Sequence, residues 1–485
     1  MPGLEASPLR GTPVPAAPAR TPRTAAGDDM PAVELSLVGR VVNGPGEPAR
    51  GEIRVVAGRI AEVREGEASG PAETRIDLGD AYLLPGAIDC HVHSGSHAGE
   101  GIRALTASAA AGGVTTVIDM PYDVASPVVS PPVMARKRDR VAEEALVDVA
   151  LLGTVRPGTG ALEVAPLVEA GAVGFKLSLF GTDPQRFPRI PDDQFLEVLA
   201  AIREHGSVAC VHAENEEIIK PLLARARASG DPAPIAHCRT RPPVSETQAV
   251  LTALEYARET GAPLHLCHLS LARSVDLARC YGAEGLQVST ETCPHYLCFS
   301  EDDMVLQGGR LKINPPLRSA SEVGQLWERL SSGAVDVVAS DHAPWPVSDK
   351  TRPAIFDNHS GAPGTETLVG VLAAGLLARG ESLSALSRLV AAAPARIFGI
   401  SHAKGSLSPG MDADVMAFDP EMPFTLDERL LHSNAGWSPY HGMAFPGRVV
   451  LTVSRGEVVW DGSRLQGSAG RGRVVERARG EADGG

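Results

Sequence analysis

Cysteine is sparse in this chain: seven in 485 residues, an odd number with no CxxC pair. That excludes a disulfide framework and fits reduced thiols in a cytoplasmic protein. No apolar run approaches the ~18 residues that a membrane-spanning helix needs. No basic cluster offsets the net charge of −14, so neither a nucleic acid nor a membrane surface is expected as a partner. The 51 glycines follow no triplet period, which removes collagen-like classes, and there is no internal repeat. No GxGxxG opens a helix, so the usual sign of a dinucleotide fold is missing. What is present is an ordinary globular balance, 43% hydrophobic and 21% charged, in a chain long enough to bury a large core.

The two ends differ from the middle. Residues 1–30 are rich in Pro, Ala and Arg, with Arg10, Arg20 and Arg23 scattered among Ser and Thr. They read as a disordered tail, with a weak likeness to a transit peptide and Met30 as an alternative first residue. Residues 463–485, rich in Gly, Arg and Glu, read as a second disordered tail. Short β patterns occupy 33–42, 51–56 and 59–63, and again 414–418, 449–454 and 457–460. A small sheet domain built from both ends, 31–84 with 396–462, is predicted.

Between them, apolar strand candidates recur at 82–88, 114–120, 147–155, 173–179, 207–212, 264–269, 286–292 and 335–340. Stretches with helical spacing, such as 101–111, 192–204 and 245–260, separate most of them. Repeated β–α units imply a parallel sheet, and eight of them predict a TIM-like (β/α)8 barrel over 85–395 in an α/β fold. An open doubly wound sheet is the alternative.

His, Lys and Asp fall at the C-terminal ends of these strands, the end that carries the active site in such barrels. The first ends in Asp89-Cys90-His91-Val92-His93. Alternation lets His91 and His93 share a face and chelate one ion, although two loop histidines are the plainer reading of an isolated HxH. Lys176 lies in an apolar strand, where a cation is costly. It reads as snorkelling or ion-paired, as a Schiff-base amine, or as a carbamate formed with CO2. His212 closes the fifth strand. In His265-Leu266-Cys267-His268, His268 is nearest the strand end and is the ligand candidate. His265 reads as a satisfied core histidine or one facing the helices, and Cys267 shares its parity, which argues against a thiolate ligand. Asp341 closely follows the apolar run Val337-Val338-Ala339 and reads either as a helix cap or as a metal-bound, proton-carrying carboxylate. Together, four imidazoles and a carboxylate suit divalent ions such as zinc. Two such ions need further negative charge, which a carbamylated Lys176 would supply.

These residues resemble the amidohydrolase superfamily in its cyclic amidohydrolase branch, which includes dihydroorotase, allantoinase and hydantoinase (dihydropyrimidinase). The likeness spans about 35–460 and rests on Pro85–His93, Ala111–Thr116, Gly174–Lys176, His212–Asn215, Glu291–Leu297 and Ser340–Pro344. It implies a (β/α)8 barrel with a β-sandwich from both chain ends. It also implies two divalent ions, most often Zn2+. His91, His93 and Asp341 would hold one, His212 and His268 the other, with N6-carboxylated Lys176 bridging them. Hydroxide bridging the metals would attack the carbonyl of a cyclic amide, and Asp341 would carry the proton to the leaving nitrogen. Asn314, Gly361 and Ala362 are implied as substrate contacts, and a homo-oligomer, tetramer or dimer, as the assembly.

Within the branch, no Arg lies two places after the HxH, which disfavours dihydroorotase. Gly181 stands where hydantoinases often have a Tyr. Asp119-Met120-Pro121 and Glu291–Leu297 resemble allantoinase most, so hydrolysis of allantoin to allantoate is the first expectation. Hydantoinase or dihydropyrimidinase activity is the alternative. A scaffold lacking catalysis is the reading from another class, and retention of all six ligand candidates argues against it.

Overall fold

Strands from both ends of the chain build one sheet. The computed structural model describes residues 32–44, 48–66 and 70–478, and everything below belongs to the unit that begins at Val33. The expectation for 1–30 and the end of that for 463–485 lie outside the described residues.

Four strands come first: β1 (Leu35–Val41), β2 (Ala49–Val56), β3 (Arg59–Glu65) and β4 (Thr74–Pro85). The barrel strands follow: β5 (Ala87–Val92), β6 (Val114–Asp119), β7 (Asp148–Leu151), β8 (Phe175–Ser178), β9 (Ala209–His212), β10 (Leu264–Leu266), β11 (Val288–Thr292) and β12 (Val337–Val338). The chain ends with β13 (Val415–Asp419), the small ribbon β14 (Phe424–Thr425) with β15 (Ala444–Phe445), then β16 (Arg448–Ser454) and β17 (Glu457–Trp460).

Both ends of the chain share a seven-stranded sheet in the order β17-β16-β13-β4-β1-β2-β3. Its edge returns on itself: Ile60 N–H donates to Met411 O at 2.9 Å and Ala413 N–H to Gly58 O at 2.9 Å. The sandwich so formed encloses Leu37, Ile53, Val55, Leu83, Val415 and Val453, all buried.

The eight barrel strands pair in parallel as β5-β6-β7 and as β8-β9-β10-β11-β12. Two bridges close the ring, Gly153 with Phe175 and Val92 with His342. Below the mouth, the barrel is filled by Ile88, Cys90, Met120, Leu152, Cys210 and Ala339, among others. It is a packed core, as this architecture requires. The expected strand at 82–88 is divided: Thr74–Pro85 joins the sandwich, and the barrel starts at Ala87.

Residues 463–478 correct the expectation of a tail. Arg473 O accepts from Val149 N–H at 2.9 Å, and Val475 N–H donates to Val149 O at 2.9 Å. The free edge of β7 needs backbone partners, and this segment supplies them before Gly153 meets β8. Composition alone hides such a role. Nearby, buried Lys404 joins barrel to sandwich through Asp148 at 2.6 Å, Asp414 at 2.8 Å and Asp412 at 3.0 Å. Among the described residues, no helix is long and apolar enough to cross a membrane.

Candidate metal centre

All six expected ligands line a single cavity of about 120 Å³ at the C-terminal mouth of the barrel. His91 and His93 leave β5, Lys176 lies in β8, His212 ends β9, His268 follows β10 and Asp341 follows β12. Five separate strands therefore deliver side chains to one place.

Asp341 Oδ1 lies 3.3 Å from both His91 Nε2 and His93 Nε2. Lys176 Nζ stands 3.2 Å from His91 Nε2. His212 Nδ1 and His268 Nε2 are 3.0 Å apart. Ligand atoms at ~2.0–2.1 Å from a tetrahedral ion are themselves ~3.3 Å apart, so these spacings suit metal coordination. His268 and Asp341 both have positive φ, 40° and 48°. That backbone is costly for a residue with a side chain and collects at functional sites.

The far sides of three rings are held by the protein. Glu291 Oε1 takes His91 Nδ1 at 2.8 Å. Glu214 Oε2 takes His212 Nε2 at 2.9 Å and is itself paired with Arg241. Ser96 Oγ meets His93 Nδ1 at 3.2 Å. Such partners fix tautomer and ring orientation in metal sites. Nδ1 of His268 is buried with no hydrogen-bond partner, an open donor position.

The electrostatics favour positive charge here. Burial and the Lys176 ammonium push the His91 ring down, yet Glu291 and Asp341 outweigh them and raise it to about 10. Burial also opposes the charge on Asp341, but His91 and the His93 hydrogen bond hold its carboxyl well below the ordinary range. Burial opposes the Lys176 ammonium, while Cys267, Glu291 and Asp341 raise it. His93 and His268 are lowered, first by burial. A cluster of this make-up stabilises a cation, whether proton or metal, and His91, His93 and Asp341 have ligand atoms close enough to share one.

Sequence reasoning missed Glu291 as a ring partner, because β11 reads Val-Ser-Thr-Glu-Thr and a carboxylate among hydroxyls does not stand out as Lys176 does in its apolar strand. It also placed Cys267 away from the site, by parity. The structure sets Cys267 Sγ within ligand range of His91 and Glu291. The strand β10 ends at Leu266, and of the two readings of His265 the satisfied core histidine is the one found: it is buried, with Nε2 3.2 Å from Glu291 and Nδ1 2.8 Å from Ser289. On β5, consecutive residues Cys90 and His91 both reach Glu291. Regular alternation forbids this, but pairing with β6 is broken between Asp89 and Val92.

Of the three expected substrate contacts, Asn314 and Gly361 line the cavity and Ala362 does not. The Ala362 carbonyl is taken by Ala343 N–H at 2.9 Å. Asn314 Oδ1 is buried without a partner. Gly361 has φ 120°, and a Cβ there would come within 2.5 Å of the Ala343 Cβ. Its carbonyl is held by buried Lys350, whose Nζ also donates to Lys312 O and His359 O, each at 2.8 Å. This wall is therefore rigidly tied.

Known proteins resemble this chain over nearly its whole length. Residues 82–459 match the amidohydrolase family. The chain is 36% identical over 452 residues to an allantoinase of Deinococcus radiodurans, covering 91% of this chain and 98% of that one. It is 33% identical over 440 residues to an L-hydantoinase of Paenarthrobacter aurescens, covering 89% and 95%. The solved L-hydantoinase (dihydropyrimidinase) of Arthrobacter aurescens superimposes with a TM-score of 0.89 at 32% identity, covering 92% of this chain and 100% of that one. With its barrel, its sandwich and this cluster in place, the chain belongs to the amidohydrolase family.

Proposed function

We propose that this protein is a metal-dependent hydrolase of cyclic ureides, allantoinase-like, converting allantoin to allantoate. The observation that carries the reading is the convergence of His91, His93, Lys176, His212, His268 and Asp341 on one cavity, with three of the rings held from behind. The similarity to an allantoinase over nearly the whole chain supports the choice of ring.

The donor set fits two divalent ions, with zinc preferred by four imidazoles and a carboxylate. His91, His93 and Asp341 would hold one, His212 and His268 the other. Lys176, carboxylated on N6, would reach both, because a bare ammonium at that place repels cations. When bound, such ions supply an activated water and polarise the scissile carbonyl.

The chain's own residues do the rest. Asp341, ionised and aimed by its left-handed backbone, receives a proton from the attacking water on a carboxylate oxygen. It returns that proton to the ring nitrogen as the C–N bond breaks. The hydroxyl stays on the carbonyl carbon, so the products balance as one acid and one N–H. Asn314 and Gly361 border the ring. No Ser or Cys nucleophile is required.

A second reading, hydantoinase or dihydropyrimidinase activity, is supported by the close superposition on an L-hydantoinase. The assembly we expect is a homo-oligomer, dimer or tetramer. Seven free thiols, six of them wholly or partly buried, support a reducing, cytoplasmic setting. Assay of the purified protein on allantoin, hydantoin, dihydrouracil and dihydroorotate tests the proposal. Turnover of allantoin above the rest supports it, and preference for dihydrouracil or hydantoin selects the second reading.

A further inference from the structure

The turn after β8 overhangs the cavity and is built as a rigid unit. Thr182 N–H donates to Phe187 O and Phe187 N–H to Asp183 O, both at 3.0 Å. Asp183 Oδ1 accepts from the N–H groups of Gln185 at 2.9 Å and Arg186 at 2.8 Å. On its inner side the Phe187 ring stacks on Tyr122, 3.8 Å between centroids, and sets its edge against His212 at 5.6 Å. Tyr122 in turn donates to the Lys176 carbonyl at 3.1 Å. The turn is thus pinned to the same residues that form the candidate metal centre.

Arg186 reaches from this turn across the opening. Its Nη1 donates to Ser96 O at 3.3 Å and its Nε to Asp183 Oδ2 at 3.4 Å. Among the described residues, its Nη2 donates to nothing. Both Arg186 and Asp183 line the cavity, and about a quarter of the Arg186 side chain is open to solvent (26%). A fork with spare N–H donors therefore sits beside a carboxylate with spare lone pairs.

We propose that Asp183 and Arg186 form a subsite for a ureido arm carried by the ring. This deepens, and rests on, the cyclic-ureide reading above. The arm, –NH–CO–NH2, offers a carbonyl oxygen to the guanidinium and N–H groups to the carboxylate. A neutral group with both functions matches an ion pair on both sides. An alkyl or aryl arm would strip water from the pair and leave its groups unmatched, which sites of this kind reject strongly. A purely anionic arm would meet Asp183 as well as Arg186 and lose the advantage. The pair thus selects a ureido-bearing ring over a bare or apolar one.

The test compares the metal-loaded wild type with Arg186→Met and Asp183→Asn on allantoin, hydantoin and 5-phenylhydantoin. Arg186→Met removes the fork but keeps the turn, which is tied through Asp183 Oδ1 and the backbone. It is expected to lower kcat/KM for allantoin about 10- to 100-fold, mostly through KM, as loss of a charged hydrogen bond does. Hydantoin, which has no arm, should fall by a factor at least about ten times smaller. Asp183→Asn should shift the same ratio in the same direction. Equal falls on allantoin and hydantoin, or no fall on either, would overturn the subsite. A wild type that opens hydantoin but not allantoin would overturn the allantoin assignment and the subsite with it, and is recognised without any variant. Should Arg186→Met be insoluble, Arg186→Lys reads the same ratio.

Discussion

His91 and Asp341 meet across the seam where the barrel closes, with Nε2 and Oδ1 3.3 Å apart. The seam itself is made by His93 N–H donating to His342 O at 2.9 Å and His342 N–H to His91 O at 3.2 Å. Closing the ring of strands and assembling the candidate centre are therefore one structural event. Residues 251 positions apart, Asp89 and Ser340, are fixed by the barrel's own hydrogen bonds. Asp89 contributes by accepting from Ser340 N–H at 3.0 Å and its hydroxyl at 2.5 Å.

Asp341→Asn keeps the size of the side chain and removes its proton-carrying ability. Turnover of the preferred ureide should fall about 10²- to 10⁴-fold, the range for loss of a general acid–base group. The melting temperature should stay near that of the wild type. Near-normal turnover would remove Asp341 from proton transfer.

Glu291→Gln tests the support behind His91. The amide retains a hydrogen-bond acceptor but loses the charge that orients and polarises the ring. Metal affinity should weaken about 10- to 100-fold, read by competition with a chelator, with activity regained in excess metal. Unchanged affinity would make Glu291 a packing residue only.

Lys404→Met tests the barrel–sandwich junction. It leaves Asp148, Asp412 and Asp414 without their shared cation. Removing one partner of a buried ion pair should destabilise by about 3–5 kcal/mol, measured by urea unfolding. Burial disfavours the Lys404 ammonium, but Asp414, Asp148 and Asp412 raise it above its ordinary 10.5. For a raised amine, the stabilisation is whole below the unfolded-state value and is lost only as the pH climbs through the folded one. The difference between variant and wild type should therefore be the same at about pH 7 and about pH 9.

Truncation after residue 463 should expose the β7 edge that Arg473 and Val475 cover. We expect a lower melting temperature and a greater tendency to aggregate. A shortened chain as stable as the full one would show that the segment is ornamental. Removal of residues 1–30, whose only large aliphatic side chains besides methionine are Leu4, Leu9 and Val14, should by contrast leave turnover intact.

Much of this was legible in the residues. Lys176 and Asp341 stand out because a charge inside an apolar run needs a reason, and the HxH of His91 and His93 stands out because it ends such a run. The barrel was legible because strands buried on both faces recur eight times. What stayed hidden depended on backbone irregularity or distant pairing. The break in β5 that turns Cys90 and His91 the same way leaves no mark in composition. The left-handed turn at His268 defeats parity counting at Cys267. The order of 463–478 comes from an edge more than 300 residues away. Arg186 was passed over because a loop arginine is usually a solvated one, and only the fold brings it over the cavity.

The central claim is that Lys176 helps to hold two divalent ions at the barrel mouth. Elemental analysis of the purified wild type and of Lys176→Ala, with folding checked by circular dichroism, measures it most directly. Two ions per wild-type chain are expected, and loss of most of that metal, with turnover, in the variant. An active wild type with no stoichiometric metal, or a folded Lys176→Ala that retains the full complement, would contradict it.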